Sequence, residues 1–270
     1  MTTSVRHLPP PSFISALLRK WAVMRAVMLR DMRSRFFDHG LGFLIVVLWP
    51  LAHLIILLAI YKAVGRTTPY GDSLDIFFAT GLIPTLSFMY VSRFMALSLV
   101  LNRAMLAFPV VQPSDILFGR ALLEILAICL MTFLTLLLLV AFGENPAPFD
   151  LVAATSAFAV VILLAIGTGI WVGVIAAIFP FAATLYALFM IVIYISSGTL
   201  FVVSALPVQL SYALSWNPVL QGVEWMRTAY FLGYPDQVLD IPYLLGFALG
   251  SIFFGLLIER LLRPWLLEKA

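Results

Sequence analysis

The lysines of this chain do not lie in the glycine-containing motif that a phosphate-binding P-loop requires. In a P-loop the lysine follows a glycine directly, so that backbone amides hold the phosphates while the amine reaches them. The lysines here are Lys20, Lys62 and Lys269, and none of them follows a glycine. The chain therefore cannot bind ATP in that way.

Histidine and serine chemistry is equally restricted. His7, His39 and His53 are not paired at metal-ligand spacing, and no G-x-S-x-G motif occurs. We therefore predict no catalytic residue, no metal site and no cofactor in this chain. His53 lies within an apolar run, where an ionisable group is a candidate functional residue, although a neutral imidazole hydrogen-bonded across a helix interface would explain it equally well.

The carboxylates do not support proton or sodium coupling. Ion-coupled carriers place carboxylates near the middle of the membrane, whereas the acidic residues here flank the apolar runs. Glu124, which we expect at the start of the third spanning helix, comes nearest, and Arg120 four residues earlier is a ready partner for it. The energy for transport should therefore come from a partner subunit.

Aromatic side chains are numerous, with 6 Trp, 9 Tyr and 22 Phe. The flat C–H faces of sugar rings stack on such side chains, so an aromatic-lined passage would suit a sliding glycan. Interfacial anchoring and helix packing would also account for many of these residues. The candidates for lining a passage are Trp49, His53, Tyr61, Tyr186 and Tyr194.

The elements that must position these residues are membrane helices. The chain has 270 residues, of which 63% are hydrophobic and 11% charged, whereas soluble domains are roughly 45–50% apolar and about 25% charged. Uncharged intervals long enough to cross the roughly 30 Å hydrocarbon layer cover residues 39–61, 76–92, 125–143, 151–223 and 241–258. A turn at Phe179-Pro180-Phe181 would divide the fourth interval, which predicts an all-α protein with six transmembrane helices.

The end of the fourth interval is too polar and too broken for a further simple span. It contains Pro207, Asn217 and Pro218 and is followed by Glu224 and Arg227. We predict a helical hairpin over residues 206–239, at the membrane surface or dipping into it. Protein must shelter it, because lipid-exposed irregular backbone is not tolerated at membrane depth.

Basic residues are unevenly distributed between the two sides of this topology. Thirteen of the sixteen lie before the first span, between the second and third spans, or after the last one. Because basic loops stay in the cytoplasm, we predict that residues 1–38 and the tail 263–270 are cytoplasmic and that residues 39–262 form the spanning domain. Residues 13–37 show the pattern of an amphipathic helix in the membrane interface.

Three blocks of sequence form a recognisable set. The first covers residues 29–61, the second covers residues 109–115 followed by 120–124, and the third runs from Trp216-Asn217-Pro218 to Glu224 and Arg227. In this order they resemble the inner-membrane permeases of capsular-polysaccharide exporters, which belong to the type-two class of ABC transporters. Residues 182–203, where a translocation wall would determine substrate preference, match only in hydrophobicity.

The resemblance implies a transport permease that is not an enzyme. The expected assembly is a homodimer in the bacterial inner membrane with two ATP-binding subunits, which would hold ATP and Mg²⁺. Residues 93–120 would form the cytoplasmic coupling loop that docks into the ATPase. Its coupling residues would be Asn102, Arg103, Phe108, Pro109, Pro113 and Asp115.

The same resemblance assigns two further groups of residues and the remaining partners. Contact with the ATPase or with substrate phosphate would involve Arg30, Arg33 and Arg35, although the positive-inside bias also explains these. The hairpin would act as an extracytoplasmic gate that includes Trp216, Asn217, Pro218, Glu224 and Arg227. Periplasmic and outer-membrane export components and a lipid-linked polysaccharide are the expected partners, and no nucleic acid is expected.

Other functions stay open from the sequence. An O-antigen or teichoic-acid exporter of the same class is barely separated from a capsule exporter. A self-sufficient secondary carrier would need a buried titratable residue, for which only His53 is available. A membrane-embedded glycan-processing enzyme would need catalytic carboxylates in a loop, for which Asp72 and Asp75 are the candidates.

Overall fold

A computed structural model describes residues 13–34 and 42–268, and the regular elements in these ranges are helices. Arg35, the last residues of the predicted amphipathic helix and residues 269–270 lie outside the described residues. The α-helices are α1 (Phe13–Ser34), α2 (Gly42–Ala63), α3 (Leu74–Leu101), α4 (Pro113–Ala141), α5 (Leu151–Ile178), α6 (Phe181–Ser196), α7 (Val208–Ser215), α8 (Pro218–Tyr230) and α9 (Ile241–Glu268). Short 3₁₀ helices cover Arg103–Ala107 and Val203–Ala205.

Five of the helices, α2, α3, α4, α5 and α9, are long and apolar enough to cross a membrane, and α6 is a shorter apolar helix of 16 residues. They occupy the places of the six elements predicted from the sequence. The predicted break is confirmed, because α5 ends at Ile178 and α6 begins at Phe181. The chain is a polytopic, all-helical membrane protein.

Three of the spanning helices, α3, α4 and α9, are longer than the uncharged intervals that predicted them. Helix α3 continues past the exposed Arg93 to Leu101, and α4 begins at Pro113. Glu124 therefore lies inside α4 rather than at its start, and the connection between the helices covers residues 102–112 instead of 93–120. A charged residue can lie inside a helix when its side chain contacts a partner or reaches water. The uncharged interval then ends at that residue although the helix continues.

Helices α3 and α5 form the centre of the bundle. In α3, 20 of 28 residues are buried, compared with 6 of 28 in α9. A Cβ atom at Gly169 of α5 would overlap Cβ of Met95, and one at Gly173 would lie 3.0 Å from the Met95 carbonyl oxygen. These glycines permit the close helix contact that membrane bundles obtain from small residues.

Charged connections collect at two ends of the bundle. We call one end the basic end; it consists of α1, residues 102–112 and the last turns of α9. The opposite end, which we call the acidic end, consists of residues 64–73, 142–150 and 231–240. The exposed carboxylates at the acidic end include Asp72, Asp236 and Asp240.

Helix α1 packs its C-terminal half against α4. Val27 is fully buried there, and a Cβ atom at Gly119 of α4 would lie 2.9 Å from the carbonyl oxygen of Met24. The N-terminal half exposes a set of large apolar side chains, namely Phe13, Ile14, Leu17, Leu18 and Trp21. An exposed apolar surface of this kind is what the predicted interfacial helix requires.

Helices α7 and α8 occupy the segment predicted as a hairpin, and their environments differ. Helix α8 packs against both α3 and α5, and Glu224 and Arg227 are fully buried. Helix α7 contacts α8 and the adjacent 3₁₀ turn, and it exposes Val208, Leu210 and Tyr212. Glu224 and Arg227 therefore lie within the bundle, sheltered from lipid.

Candidate functional site

The Arg120 cluster, formed by Asp31, Asn102, Arg120 and Glu124, lies at the basic end. Nη1 of Arg120 is 3.3 Å from Oδ2 of Asp31 in α1, and Nη2 pairs with Glu124 one turn further along α4. Asn102 donates a hydrogen bond to the same Asp31 oxygen at 3.5 Å. All four residues are buried, so the guanidinium compensates carboxylates that are costly to bury without a partner. The Arg120–Glu124 pair predicted from spacing is confirmed.

Two anchors hold the connection between α3 and α4 against α1. At its start, Oδ1 of Asn102 accepts a hydrogen bond from Nη1 of Arg30 at 3.4 Å. At its end, the backbone N–H of Gln112 donates to Oδ2 of Asp115 at 3.0 Å, and Nζ of Lys20 lies 3.1 Å from Oδ1. The position of the connection is therefore fixed by polar contacts with α1 at both ends.

The predicted coupling residues divide into two groups in this connection. Asn102, Pro113 and Asp115 are buried, and the two polar ones form the anchors. Arg103, Phe108 and Pro109 are exposed, with Phe108 at 62% and the neighbouring Val110 at 60%. The exposed group presents an apolar surface at the basic end. Arg30 and Arg33 of α1 are exposed at the same end.

The predicted passage residues mostly lie on one surface of α2, α3 and α6, which we call the aromatic face. Nδ1 of His53 and the hydroxyl of Tyr90 are 3.0 Å apart, and the hydroxyls of Tyr61 and Tyr194 are 3.3 Å apart. His53 thus has a hydrogen-bonding partner across a helix interface. Tyr186 is buried in the same region.

A cavity of about 290 Å³ opens on the aromatic face. Trp49, Tyr90 and Arg93 line it from α2 and α3, and Met190 and Ile191 line it from α6. Trp49 is 65% exposed. The cavity therefore combines aromatic surface with one guanidinium, a set of groups that can hold an anionic substituent beside an apolar ring face.

The Arg227 cluster, near the acidic end, consists of residues 198–201, Glu224, Arg227 and Tyr234. Nη1 of Arg227 donates to the carbonyl oxygens of Gly198 and Phe201 at 2.8 and 2.9 Å. Nη2 donates to the carbonyl oxygen of Thr199 at 2.9 Å. These carbonyls lie in the irregular segment after α6, where backbone acceptors need partners other than helical N–H groups. The guanidinium satisfies them inside the bundle, where water cannot.

Glu224 supplies the negative charge of this cluster. Its Oε1 lies 3.6 Å from Nη1 of Arg227 and accepts a hydrogen bond from the Tyr234 hydroxyl at 3.0 Å. Burial raises the pKa of the Glu224 carboxyl to about 6, against the lowering effects of Arg227 and Tyr234. The guanidinium of Arg227 also lies 4.0 Å from the ring centroid of Phe77 in α3, a cation–π contact that joins α8 to the centre of the bundle.

The block Trp216-Asn217-Pro218 is the start of α8. Oδ1 of Asn217 accepts a hydrogen bond from the backbone N–H of Val219 at 2.9 Å, and Pro218 takes the first helical position. Nδ2 of Asn217 donates to Oγ of Ser196 in α6 at 2.9 Å. Of the predicted gate residues, Asn217 and Pro218 start the helix, Glu224 and Arg227 fix it, and Trp216 remains 62% exposed.

Sequence reasoning missed several of these partners, including Asp31, Lys20 and Tyr234. A signal for Asp31 was present: it is the one acidic residue of α1, four positions after the buried Val27 and so on the packed side of the helix. Tyr234 follows α8 in a loop and carries no comparable signal.

Comparison with known proteins identifies relatives of nearly full length. No protein-family model matches the chain. The chain is 30% identical over 237 residues to the polysialic acid transport protein KpsM of Escherichia coli. The aligned region covers 88% of the chain and 92% of KpsM. Two capsule polysaccharide export inner-membrane proteins are also similar: CtrC of Neisseria meningitidis at 25% over 84% of the chain and 86% of CtrC, and BexB of Haemophilus influenzae at 24% over 92% and 94%.

The helical bundle and its apolar spans define the class as a multi-pass membrane protein. The chain belongs to the family of capsule polysaccharide export inner-membrane proteins. The resemblance seen in the sequence is thereby confirmed.

Proposed function

We propose that this chain is the transmembrane subunit of an ATP-driven exporter that moves a lipid-linked capsular polysaccharide across a bacterial inner membrane. The observation that carries the proposal is the similarity to KpsM over 88% of the chain. Two copies of the chain would form the passage. Two separate ATP-binding subunits would hold ATP and Mg²⁺, since none of the lysines of the chain lies in a P-loop.

The basic end would face the cytoplasm. The concentration of arginine in α1 and at the end of α9 supports this orientation. With α6 as the sixth span, both termini would lie in the cytoplasm. The acidic end would then face the periplasm, where α7 and α8 would form a gate. Periplasmic and outer-membrane components would receive the polysaccharide there.

The connection between α3 and α4 would dock into the ATP-binding subunit. Phe108 and Val110 offer an exposed apolar surface, with the exposed Arg103 beside it. Because polar anchors hold both ends of the connection to α1, a push on Phe108 would move α1 and α4 together. Arg30 and Arg33 would face the same subunit or the phosphate of the lipid carrier.

The aromatic face would line the passage between the two copies. Trp49 is exposed there, and the paired Tyr61 and Tyr194 hydroxyls lie further towards the acidic end. Ring faces would contact the sugars, and the Arg93 guanidinium would attract an anionic group at the entrance.

The decisive experiment combines purification with export. The tagged chain, isolated in mild detergent from cells that express the complete export system, should recover an ATP-binding subunit in equal amount, with two permeases per complex. Phe108→Ala should reduce that recovery and the surface capsule severalfold without reducing membrane insertion. Phe142→Ala is the matched control, because Phe142 is 58% exposed at the opposite end.

Two results would contradict the proposal. One is a stable permease that exports polysaccharide without any nucleotide-binding partner, as a secondary carrier would. The other is equal loss of export in the Phe108 and Phe142 variants, which would remove the assignment of the docking segment.

A further inference from the structure

A cleft of about 760 Å³ opens at the acidic end, away from the aromatic face and outside both arginine clusters. One wall is α7 with Trp216, and the other is the segment 237–243 that leads into α9. The family comparison does not account for this cleft, and the sequence blocks that indicated a gate did not predict it. Its size is within the range of small-molecule binding sites, roughly 300–1,000 Å³.

Three aromatic rings border the cleft and contact one another edge to face. The ring centroids of Tyr212 and Trp216 are 6.3 Å apart at 90°, and those of Trp216 and Tyr243 are 6.2 Å apart at 81°. Tyr212 is 64% exposed and Trp216 is 62% exposed. Perpendicular packing fixes the rings, and the exposure of Tyr212 and Trp216 leaves aromatic surface on which the C–H faces of a sugar can stack.

The walls are held together by buried hydrogen bonds. Gln221, which is 1% exposed, donates to the carbonyl oxygens of Ser215 and Val238 at 2.8 and 3.0 Å and accepts from the backbone N–H of Asp240 at 2.7 Å. The Tyr243 hydroxyl donates to the Trp216 carbonyl oxygen at 2.7 Å. The cleft is therefore formed before any ligand enters, so binding does not require its walls to be ordered.

The polar groups of the cleft indicate the charge of the ligand. Among the described residues that line it, Asp240 is the charged one, and it is exposed. Gln237 also lines the cleft and is exposed. A carboxylate and an amide form hydrogen bonds with sugar hydroxyls, and the carboxylate repels an anionic sugar.

We propose that this cleft is a saccharide-binding site that takes uncharged sugar units at the acidic end of the permease. The inference rests on the proposed function, because it makes the cleft a contact for the polysaccharide that the chain exports. The proposed site adds to that function a second place of contact with the polysaccharide. Each single copy of the chain would carry one such site, outside the passage between the two copies.

Saturation-transfer NMR on the full chain in lipid nanodiscs tests the site directly. The probes are the uncharged tetrasaccharides chitotetraose and maltotetraose, with the α2,8-linked sialic acid tetramer as the charged comparison. At least one neutral probe should receive saturation on its ring C–H protons. Trp216→Ala and Tyr212→Ala should each weaken its binding by about fivefold, the loss of one aromatic contact.

Matched variants make the result specific. Phe149→Ala removes an aromatic side chain that is 71% exposed at the same end but outside the cleft, and it should leave binding unchanged. The sialic acid tetramer should bind more weakly than the neutral probe, and Asp240→Asn should narrow that difference. Oδ1 of Asp240 accepts a hydrogen bond from the backbone N–H of Tyr243 at 2.8 Å, at the start of α9. Asparagine can accept the same hydrogen bond, so α9 should keep its first turn in this variant.

The site is refuted if neither neutral probe receives saturation, or if the cleft variants bind as well as Phe149→Ala does. Equal binding of the sialic acid tetramer would overturn the preference for uncharged sugars. A chain that exports capsule but binds no neutral probe would refute the cleft and leave the proposed function standing. A chain that binds the probe but neither exports capsule nor co-purifies with an ATP-binding subunit would refute the proposed function and leave the saccharide-binding site standing.

Discussion

Arg120 and Arg227 are both fully buried, at opposite ends of the bundle, and their partners differ in kind. Arg120 faces two carboxylates, one of which, Asp31, is 89 residues away in sequence. Arg227 has one carboxylate, Glu224, at 3.6 Å, while backbone carbonyl oxygens accept its three shortest hydrogen bonds at 2.8–2.9 Å.

The Arg120 cluster therefore requires a positive charge, whereas the Arg227 cluster also requires the planar shape of the guanidinium. A carboxylate attracts any cation that reaches it, whereas carbonyls in a fixed loop need donors at fixed angles, which the planar guanidinium supplies. The Arg120 cluster should therefore tolerate another cation, and the Arg227 cluster should not. The first joins α1 to the segment proposed to dock the ATP-binding subunit, and the second holds the proposed gate.

The largest expected effect is that of Arg227→Met. This change removes the donor shared by the carbonyls of Gly198, Thr199 and Phe201 and the positive charge beside the buried Glu224. The free energy of unfolding should therefore fall by about 3–5 kcal/mol. The loss of stability is measured by thermal unfolding in detergent, with the monodisperse peak in size-exclusion chromatography as the signal for folded protein. Arg66→Met is the control, because exposed Arg66 bonds the Leu200 carbonyl oxygen at 2.9 Å and should cost less than about 1 kcal/mol. Similar losses in both variants would remove the special role of Arg227.

Glu224 should make the Arg227 cluster sensitive to pH. Because burial raises its pKa from 4.5 to about 6, the folded chain holds this proton more tightly than the unfolded chain. The resulting stabilisation, about 2 kcal/mol, is fully present below the unfolded pKa and is lost as pH rises through the folded pKa. The stability difference between the wild type and Glu224→Gln should therefore decline from pH 4 to pH 7. A difference that stays constant with pH would contradict this account.

The smallest effect separates the two clusters most sharply. Arg227→Lys keeps the charge but cannot reach three carbonyls with a planar fork, so it should cost about 2 kcal/mol. Arg120→Lys keeps a cation beside two carboxylates and should cost about 1 kcal/mol less than Arg227→Lys. The same unfolding measurement compares them. Equal costs would show that both clusters depend on geometry.

Much of the fold could be predicted because membrane helices are determined by local composition. The break before α6 was visible as Pro180 between two phenylalanines, and it lies where predicted. The ends of α3 and α4 were not predictable from charge, because Arg93 and Arg120 lie inside helices and not in loops. Uncharged intervals mark the apolar part of a helix and not its ends.

The clusters show which contacts a sequence can reveal. Arg120 and Glu124 are four residues apart on one helix, so their pairing follows from helical geometry. The Asp31–Arg120 contact depends on how α1 packs on α4, which no local pattern encodes. The partners of Arg227 at residues 198–201 are backbone carbonyls, and their side chains give no sign of the role. The cleft beside Trp216 also could not be predicted from the sequence, because Tyr243, which contacts Trp216, belongs to another helix.

Helix α6 has a consequence for the surrounding lipid. Its 16 residues extend about 24 Å, whereas the hydrocarbon layer is roughly 30 Å thick. As the proposed sixth span, α6 would require the acyl chains beside it to compress. Residues 198–201 cannot join the helix as another turn without losing their hydrogen bonds to Arg227. Hydrophobic mismatch of this kind costs fractions of a kcal/mol per Å. Thinner bilayers should therefore stabilise the permease along this one edge.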